Sequence, residues 1–101
     1  MPNRRSEPIR WRRDVRNWLA SVVEYQRQLG QDIRSAAVHE GENFPTNILI
    51  EFVGRTIDKG LAIWAVKNAL RDAAASLSIP LNDDTLDFMV NLAVDAVLAS
   101  S

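Results

Sequence analysis

Apolar residues recur at helical spacing along most of the chain, and this pattern predicts an all-α protein. The clearest element is a helical hairpin between Leu61 and Ala99. Its first helix runs from Leu61 to Leu77, and its second helix begins at Asn82. No segment alternates between apolar and polar residues for long enough to predict a strand. We therefore predict a bundle of three to four helices, with a long N-terminal helix and a C-terminal helical hairpin.

The start of the second hairpin helix has the strongest local signals. Pro80 cannot sit inside a helix, because it lacks an N–H group and its ring strikes the preceding turn. Asn82 can cap the next helix by accepting a hydrogen bond from a free backbone N–H. Asp83 and Asp84 then place negative charge at the positive end of the helix dipole. Together these signals predict a helix that begins at Asn82.

The final helix is apolar around most of its circumference. A surface helix normally has an apolar stripe about 100° wide. Here the polar residues form only a narrow strip: Asp84, Asp87, Asn91 and Asp95. Either this helix is packed on most sides within one chain, or part of it lies against another chain. The second alternative makes Met89 and Leu92 candidates for self-association.

An apolar seam runs along the N-terminal helix at alternating steps of four and three, as in a coiled coil: Trp11, Val15, Trp18, Val22, Tyr25 and Leu29. One helix from Glu7 to Glu40 would be ~50 Å long and would overhang a compact monomer of this size. Either the helix breaks or bends near Gly30, or it stays whole and a second protomer covers the overhang. We favour the whole helix, because the seam crosses Gly30 without stopping. We therefore predict a homodimer that uses Trp11, Val15, Trp18 and Val22.

Residues 41–45 form the clearest loop in the sequence, and a further helix begins at about Thr46. Its predicted apolar stripe consists of Ile50, Val53, Ile57, Leu61 and Trp64. Gly60 either separates two helices or kinks one. We treat residues 1–101 as one domain in which residues 1–6 are flexible.

The composition narrows the class of protein. The 101 residues are 47% hydrophobic and 25% charged, which is typical of a folded globular domain. There is no cysteine, which excludes disulfides, thiolate zinc sites and cysteine nucleophiles. The longest charge-free runs fall far short of the ~18 apolar residues that indicate a membrane span. We therefore expect a cytoplasmic protein without a membrane span.

Charge is distributed unevenly along the chain. Residues 1–17 contain six arginines and two acids, and the other 84 residues contain six bases and eleven acids. From Asn82 onward there are four acids and no base. Such asymmetry between the two ends indicates that one end pairs with the other or with a partner.

Four arginines of the N-terminal helix are the main candidate site for a partner: Arg10, Arg12, Arg13 and Arg16. Three interpretations remain open. The arginines form a solvated face that pairs with acids such as Asp14, Asp87 or Asp95. Alternatively, they bind nucleic-acid phosphates, with an affinity that depends on salt. In the third interpretation, the basic helix lies on an anionic membrane or in the groove of a partner.

Catalytic and metal chemistry have little support in the sequence. The run Asp83-Asp84-Thr85-Leu86-Asp87 has the spacing of an aspartate-rich magnesium motif, but a chain of this length cannot build the second acidic cluster and large cavity that the motif needs. His39 is the only histidine, and a useful metal site needs three or four convergent ligands. No second histidine and no cysteine is present to form a nucleophile–base pair. We predict no catalytic residues, no metal and no cofactor.

One segment of the chain has a family resemblance. Val66–Val97 contains the elements Ala69-Leu70, Leu77-x-Ile79-x-Leu81, Asp83-Asp84-x-Leu86-Asp87 and Ala93-Val94. With these residues it resembles the soluble C-terminal tail of a class of small phage holins, in which a turn and an acidic cap join two helices. Holins also carry a transmembrane span, for which this sequence has no segment, so the resemblance does not extend to membrane-lesion activity. It implies a phage or prophage origin.

We therefore expect a non-enzymatic helical interaction protein that binds a protein partner and self-associates. The alternative is a small nucleic-acid-binding protein that uses the arginine-rich N-terminal helix.

Overall fold

The computed structural model describes residues 6–46 and 59–100. Within these residues the chain forms helices and no strands. The α-helices are α1 (Ser6–Leu29), α2 (Ile33–Glu40), α3 (Lys59–Ser76) and α4 (Asp83–Ser100), and a 3-10 helix spans Gly41–Asn43. The predicted all-α bundle is confirmed.

A tight turn separates α1 from α2, so the prediction of one helix running through Gly30 is wrong. Gly30 adopts a φ of +63°, a left-handed conformation that ends α1. Asp32 then caps α2, because its carboxylate accepts a hydrogen bond from the Ser35 N–H at 2.8 Å. The turn folds α2 back against α1. A continuous helix would have overhung the monomer and required a second protomer to cover it. The turn removes this requirement.

The end of α3 is a Schellman motif built on a serine. Ser78 has a φ of +56°, where glycine is the usual residue. The N–H of Ile79 donates to the carbonyl oxygen of Ala74 at 2.9 Å, and the N–H of Ser78 donates to that of Ala75 at 3.2 Å. These two bonds satisfy carbonyl groups that the helix end would otherwise leave without partners.

The start of α4 is capped as predicted. The side-chain oxygen of Asn82 accepts a hydrogen bond from the Thr85 N–H at 2.8 Å. The helix then begins at Asp83, with Asp83 and Asp84 in its first turn. Together with the turn after α3, this cap confirms the predicted C-terminal helical hairpin.

The core lies where the helices meet. α3 packs against both α1 and α4, and α2 also packs against α1 and α4. The apolar face of α4 is therefore buried within a single chain, which is the first of the two alternatives given above. The largest fully buried side chains come from three of the helices: Val15, Leu19, Val22, Val66, Leu70, Met89, Val94 and Val97.

Trp64 departs from its predicted place in an apolar stripe, because 63% of its surface is exposed. The side of α3 that is buried is rotated from the predicted stripe, and it includes Val66, Leu70 and Ala73. Gly60 lies within α3 and does not end it. The predicted helix from Thr46, with Ile50, Val53 and Ile57, falls on residues 47–58, and the predicted flexible start falls largely on residues 1–5. Both segments lie outside the described residues.

Candidate functional site

A groove between α1 and α3 brings together three of the four predicted arginines. Arg12, Arg13 and Arg16 line an open cavity of about 350 Å³. The α3 side of the groove contributes Asp72 and three small residues: Ala69, Ala73 and Ser76. We call this feature the basic groove. Arg10 lies in α1, but its side chain is outside the described part of the structure.

The sequence of α1 explains why these arginines share one groove. Positions 12, 13 and 16 cover about one turn of helix and point to neighbouring directions. The seam residues Trp11 and Val15 are buried beside them. The aliphatic parts of the arginine side chains therefore begin at the edge of the core, and their guanidinium groups reach solvent over α3.

One of the three arginines has an acidic partner. Arg12 Nη1 lies 2.6 Å from Asp72 Oδ2, and both side chains are largely exposed. An exposed pair of this kind contributes at most about 1 kcal/mol to folding stability. The interpretation of the arginines as a solvated face names acids such as Asp14, Asp87 or Asp95 as partners. Asp72 replaces them because α3, and not α4, packs against the arginine-bearing part of α1.

The groove retains an excess of positive charge. Within the described residues, Arg13 and Arg16 make no salt bridge, and the Arg12–Asp72 pair is the groove's one ion pair. Two guanidinium groups are therefore free to donate hydrogen bonds outward. A guanidinium has five N–H donors in a planar fork, and this geometry suits carboxylate or phosphate oxygens.

The residues predicted for self-association are used inside the single chain. Trp11, Val15, Trp18, Val22 and Met89 are all buried, and Leu92 is half-buried against the core. A dimer that keeps this fold must therefore use other residues. The homodimer itself stays a prediction.

Two tryptophans of the seam also anchor the chain after α2, a role that the sequence did not predict. Trp11 Nε1 donates to the carbonyl oxygen of Pro45 at 2.9 Å. Trp18 Nε1 donates to the carbonyl oxygen of Glu40 at 2.6 Å, and its ring meets that of Phe44 edge-on at 5.2 Å. Helical spacing indicated that these tryptophans face inward, but it gave no sign of which backbone groups they reach.

The exposed side of α4 is an acidic strip formed by Asp84, Asp87, Asn91 and Asp95. Asp87 Oδ1 lies 3.2 Å from Lys67 Nζ on α3. Asp84 and Asp95 have no salt bridge within the described residues. The two charged ends of the sequence therefore do not pair with each other through any described residue.

A second, larger cavity of about 530 Å³ lies between α1 and the link that follows α3. Val23, Ile33 and Ile79 supply apolar surface, while Glu24 and Arg27 stand on its α1 side. The sequence contains no sign of this cavity, because the cavity depends on the turn at Gly30 that brings α2 beside the link.

Metal ligands are not brought together in the described part of the chain. No group of three or more histidine, cysteine, aspartate or glutamate side chains there is placed to hold a metal ion. His39 instead stacks on Tyr25, with ring centroids 3.9 Å apart and an angle of 11° between the planes. This stack joins α2 to α1 and leaves His39 on the surface.

None of the described helices combines the length and the apolar character that crossing a membrane requires. Comparison of the chain with protein-family models, with curated proteins and with solved structures found no match.

Proposed function

We propose that the chain is a non-enzymatic interaction protein whose basic groove binds an acidic segment of a protein partner. The observation that supports this proposal is the convergence of Arg12, Arg13 and Arg16 on one groove, with two of them free of salt bridges among the described residues. Arginine is enriched at protein interfaces because its planar fork binds carboxylates bidentately.

The floor of the groove supports a protein partner. Ala69 and Ala73 are buried at its base and Ser76 lies at its end, and these small side chains leave the groove open to side chains of a helix or an extended segment. Carboxylates on that segment then meet the arginines along its edge. Charge complementarity of this kind accelerates encounter and fixes orientation more than it adds affinity.

A protein partner is favoured over nucleic acid by the charges in and around the groove. Asp72 pairs with one of the three arginines and leaves two without a salt bridge among the described residues. A phosphate backbone is usually held by more basic groups than that. The whole chain has a net charge of −1, whereas a nucleic-acid-binding domain usually carries a clear excess of basic residues. Nucleic-acid binding through the same arginines is the second candidate.

The biological setting is also a proposal. The likeness of Val66–Val97 to a holin tail supports a phage or prophage origin, with a host or phage protein as partner. The absence of cysteine from the sequence suits a reducing compartment, so we place the protein in the cytoplasm. We further propose that it forms a homodimer.

The test is affinity capture from the native host with wild-type protein and two charge-reversal variants. Arg13→Glu combined with Arg16→Glu reverses the free charges of the groove. Arg71→Glu is the matched control, because Arg71 is exposed on α3 and does not line the groove. We expect one protein to be captured by the wild type and by Arg71→Glu but lost from the groove variant. Capture of the same proteins by all three would contradict the proposal.

A mobility-shift assay with duplex DNA across a salt series separates the two candidates. A site of about three phosphate contacts would give a slope of log affinity against log salt near −3. We expect no shift at physiological salt. A shift there that the groove variant abolishes would favour the nucleic-acid alternative.

A further inference from the structure

We infer that a second copy of this chain occupies the basic groove, with the acidic strip of its α4 docked against Arg13 and Arg16. This inference rests on the proposed function and names the partner of the same groove. In a two-fold dimer, the groove of each copy binds the strip of the other, so the same contact forms twice.

Charge complementarity is the first argument. The groove has three arginines and one aspartate, and two of the arginines have no salt bridge with any described residue. The strip has three aspartates, of which only Asp87 is paired among the described residues. One molecule therefore exposes two faces of opposite charge that its own fold keeps apart, and a second copy can neutralise both.

The dimensions of the two faces are the second argument. The floor of the groove from Ala69 to Ser76 is about 10 Å long at ~1.5 Å per residue. The part of the strip from Asp87 to Asp95 is about 12 Å long by the same rise. Ala69 and Ala73 are buried at the base of the groove, and their small side chains leave it open. A helix that lies over the groove can therefore insert its aspartate side chains. Asp87 and Asp95 at the two ends of this part then fall within reach of the flexible arginine side chains.

The burial of α4 is the third argument. Its apolar face is enclosed by α3, α2 and the 3-10 helix, so an apolar seam is not available to a second copy. The strip is the face of α4 that remains in solvent. Self-association through α4 would therefore be electrostatic and would weaken as salt is added.

A mixing experiment with two charge-reversed proteins tests this inference. One carries Arg13→Glu and Arg16→Glu, which makes groove and strip both acidic. The other carries Asp87→Lys and Asp95→Lys, so its groove and its strip are both basic. These changes leave the Asn82 cap intact. Each protein alone should remain monomeric in sedimentation equilibrium at micromolar concentration, because its faces repel. An equimolar mixture should form a dimer, because each groove then meets a strip of opposite charge.

The expected loss for each variant alone is at least about tenfold in the association constant, because like charges then face each other. If the lysine variant does not fold by circular dichroism, Asp87→Asn with Asp95→Asn replaces it, and weakened self-association is expected. Any one of three results would overturn the inference: the wild type is monomeric, either variant associates as strongly as the wild type, or the mixture stays monomeric.

A parallel titration separates failure of this inference from failure of the proposed function. Fluorescein-labelled oligoglutamate is titrated into the wild type and into the Arg13→Glu, Arg16→Glu variant, with fluorescence anisotropy as the readout. If the wild type is monomeric yet binds the probe through the groove, the inference of a second copy is wrong, and the proposed binding of an acidic partner is supported. If neither self-association nor probe binding depends on the groove, both proposals fail.

Discussion

The indole N–H of Trp18 donates a 2.6 Å hydrogen bond to the backbone carbonyl oxygen of Glu40. The two residues lie on different helices, and the bond ties the middle of α1 to the end of α2. Glu40 is the last residue of α2, where helix carbonyls lack partners within the helix. The tryptophan thus fills the core and also satisfies a helix end.

Replacing Trp18 tests this double role. We expect Trp18→Phe to lower the free energy of unfolding by about 1–3 kcal/mol, because the Glu40 carbonyl loses its donor while most of the ring packing remains. Trp64→Phe is the matched control, because Trp64 is mostly exposed, and it should change stability by less than about 0.5 kcal/mol. Urea denaturation followed by circular dichroism measures both. Equal effects of the two changes would show that the Trp18 bond does not contribute.

Two glycines, one before α2 and one directly after it, should respond in opposite ways to replacement by alanine. Gly30 has a left-handed φ of +63°, so Gly30→Ala should destabilise the fold by about 1 kcal/mol even though no atom lies within 4 Å of the new methyl group. Gly41 has a φ of −60°, and a Cβ there would sit 3.5 Å from Leu92. Gly41→Ala should therefore be neutral or stabilise by up to about 1 kcal/mol. Thermal unfolding compares the two, and a stabilising Gly30→Ala would exclude the left-handed turn.

The Schellman motif after α3 predicts a stabilising substitution. Ser78 holds a left-handed conformation that costs a residue with a side chain roughly 1 kcal/mol relative to glycine. Ser78→Gly should therefore raise the free energy of unfolding by about that amount. Ala75→Gly, at an exposed position inside α3, should lower it by about 1 kcal/mol. If both glycine variants shift the denaturation midpoint downward, the strain at Ser78 is absent.

The cap of α4 predicts a loss that depends on side-chain chemistry. Asn82→Ala removes the acceptor of the Thr85 N–H and should cost about 1 kcal/mol of stability. Asn82→Asp keeps an acceptor oxygen and should cost far less. Chemical denaturation of the two variants measures the difference. Equal losses would mean that the side-chain oxygen is not the cap.

Removing the Arg12–Asp72 pair should change binding while leaving stability almost unchanged. Asp72→Asn frees Arg12 for an acidic ligand and removes a repulsive charge from the groove. We therefore expect tighter binding of oligoglutamate, with stability changed by less than about 1 kcal/mol because the pair is exposed. Fluorescence anisotropy gives the affinity, and urea denaturation gives the stability. Weaker binding would indicate that Asp72 holds Arg12 in a productive orientation.

Local signals in the sequence located the hairpin well. Pro80 and Asn82 act through the backbone of their own neighbourhood, so the link and the helix start could be placed from residue types alone. At Gly30 the sequence pattern wrongly predicts a continuous helix, because the apolar seam crosses this residue and periodicity does not report φ. The end of α3 at Ser78 was harder still, because serine lacks the preference for left-handed geometry that makes a glycine informative.

The sequence predicts the arginines of the candidate site but not their acidic partner. The arginines could be named from the sequence because clustered charge on one helix is a local property. Their partner Asp72 could not be named, because it stands sixty residues away and pairs with Arg12 only when α3 lies beside α1.

The sequence by itself determined the helical class, the capped hairpin, the inward face of α1 and the positions of the charges, because each follows from interactions within a few residues. Only the tertiary structure decided which helices are neighbours. This arrangement of helices buries the seam tryptophans and Met89 within one chain and pairs Arg12 with Asp72. It leaves Arg13, Arg16 and the acidic strip facing solvent. The physical reason is that core packing depends on the joint shape of all the helices, and apolar spacing within one helix does not contain that information.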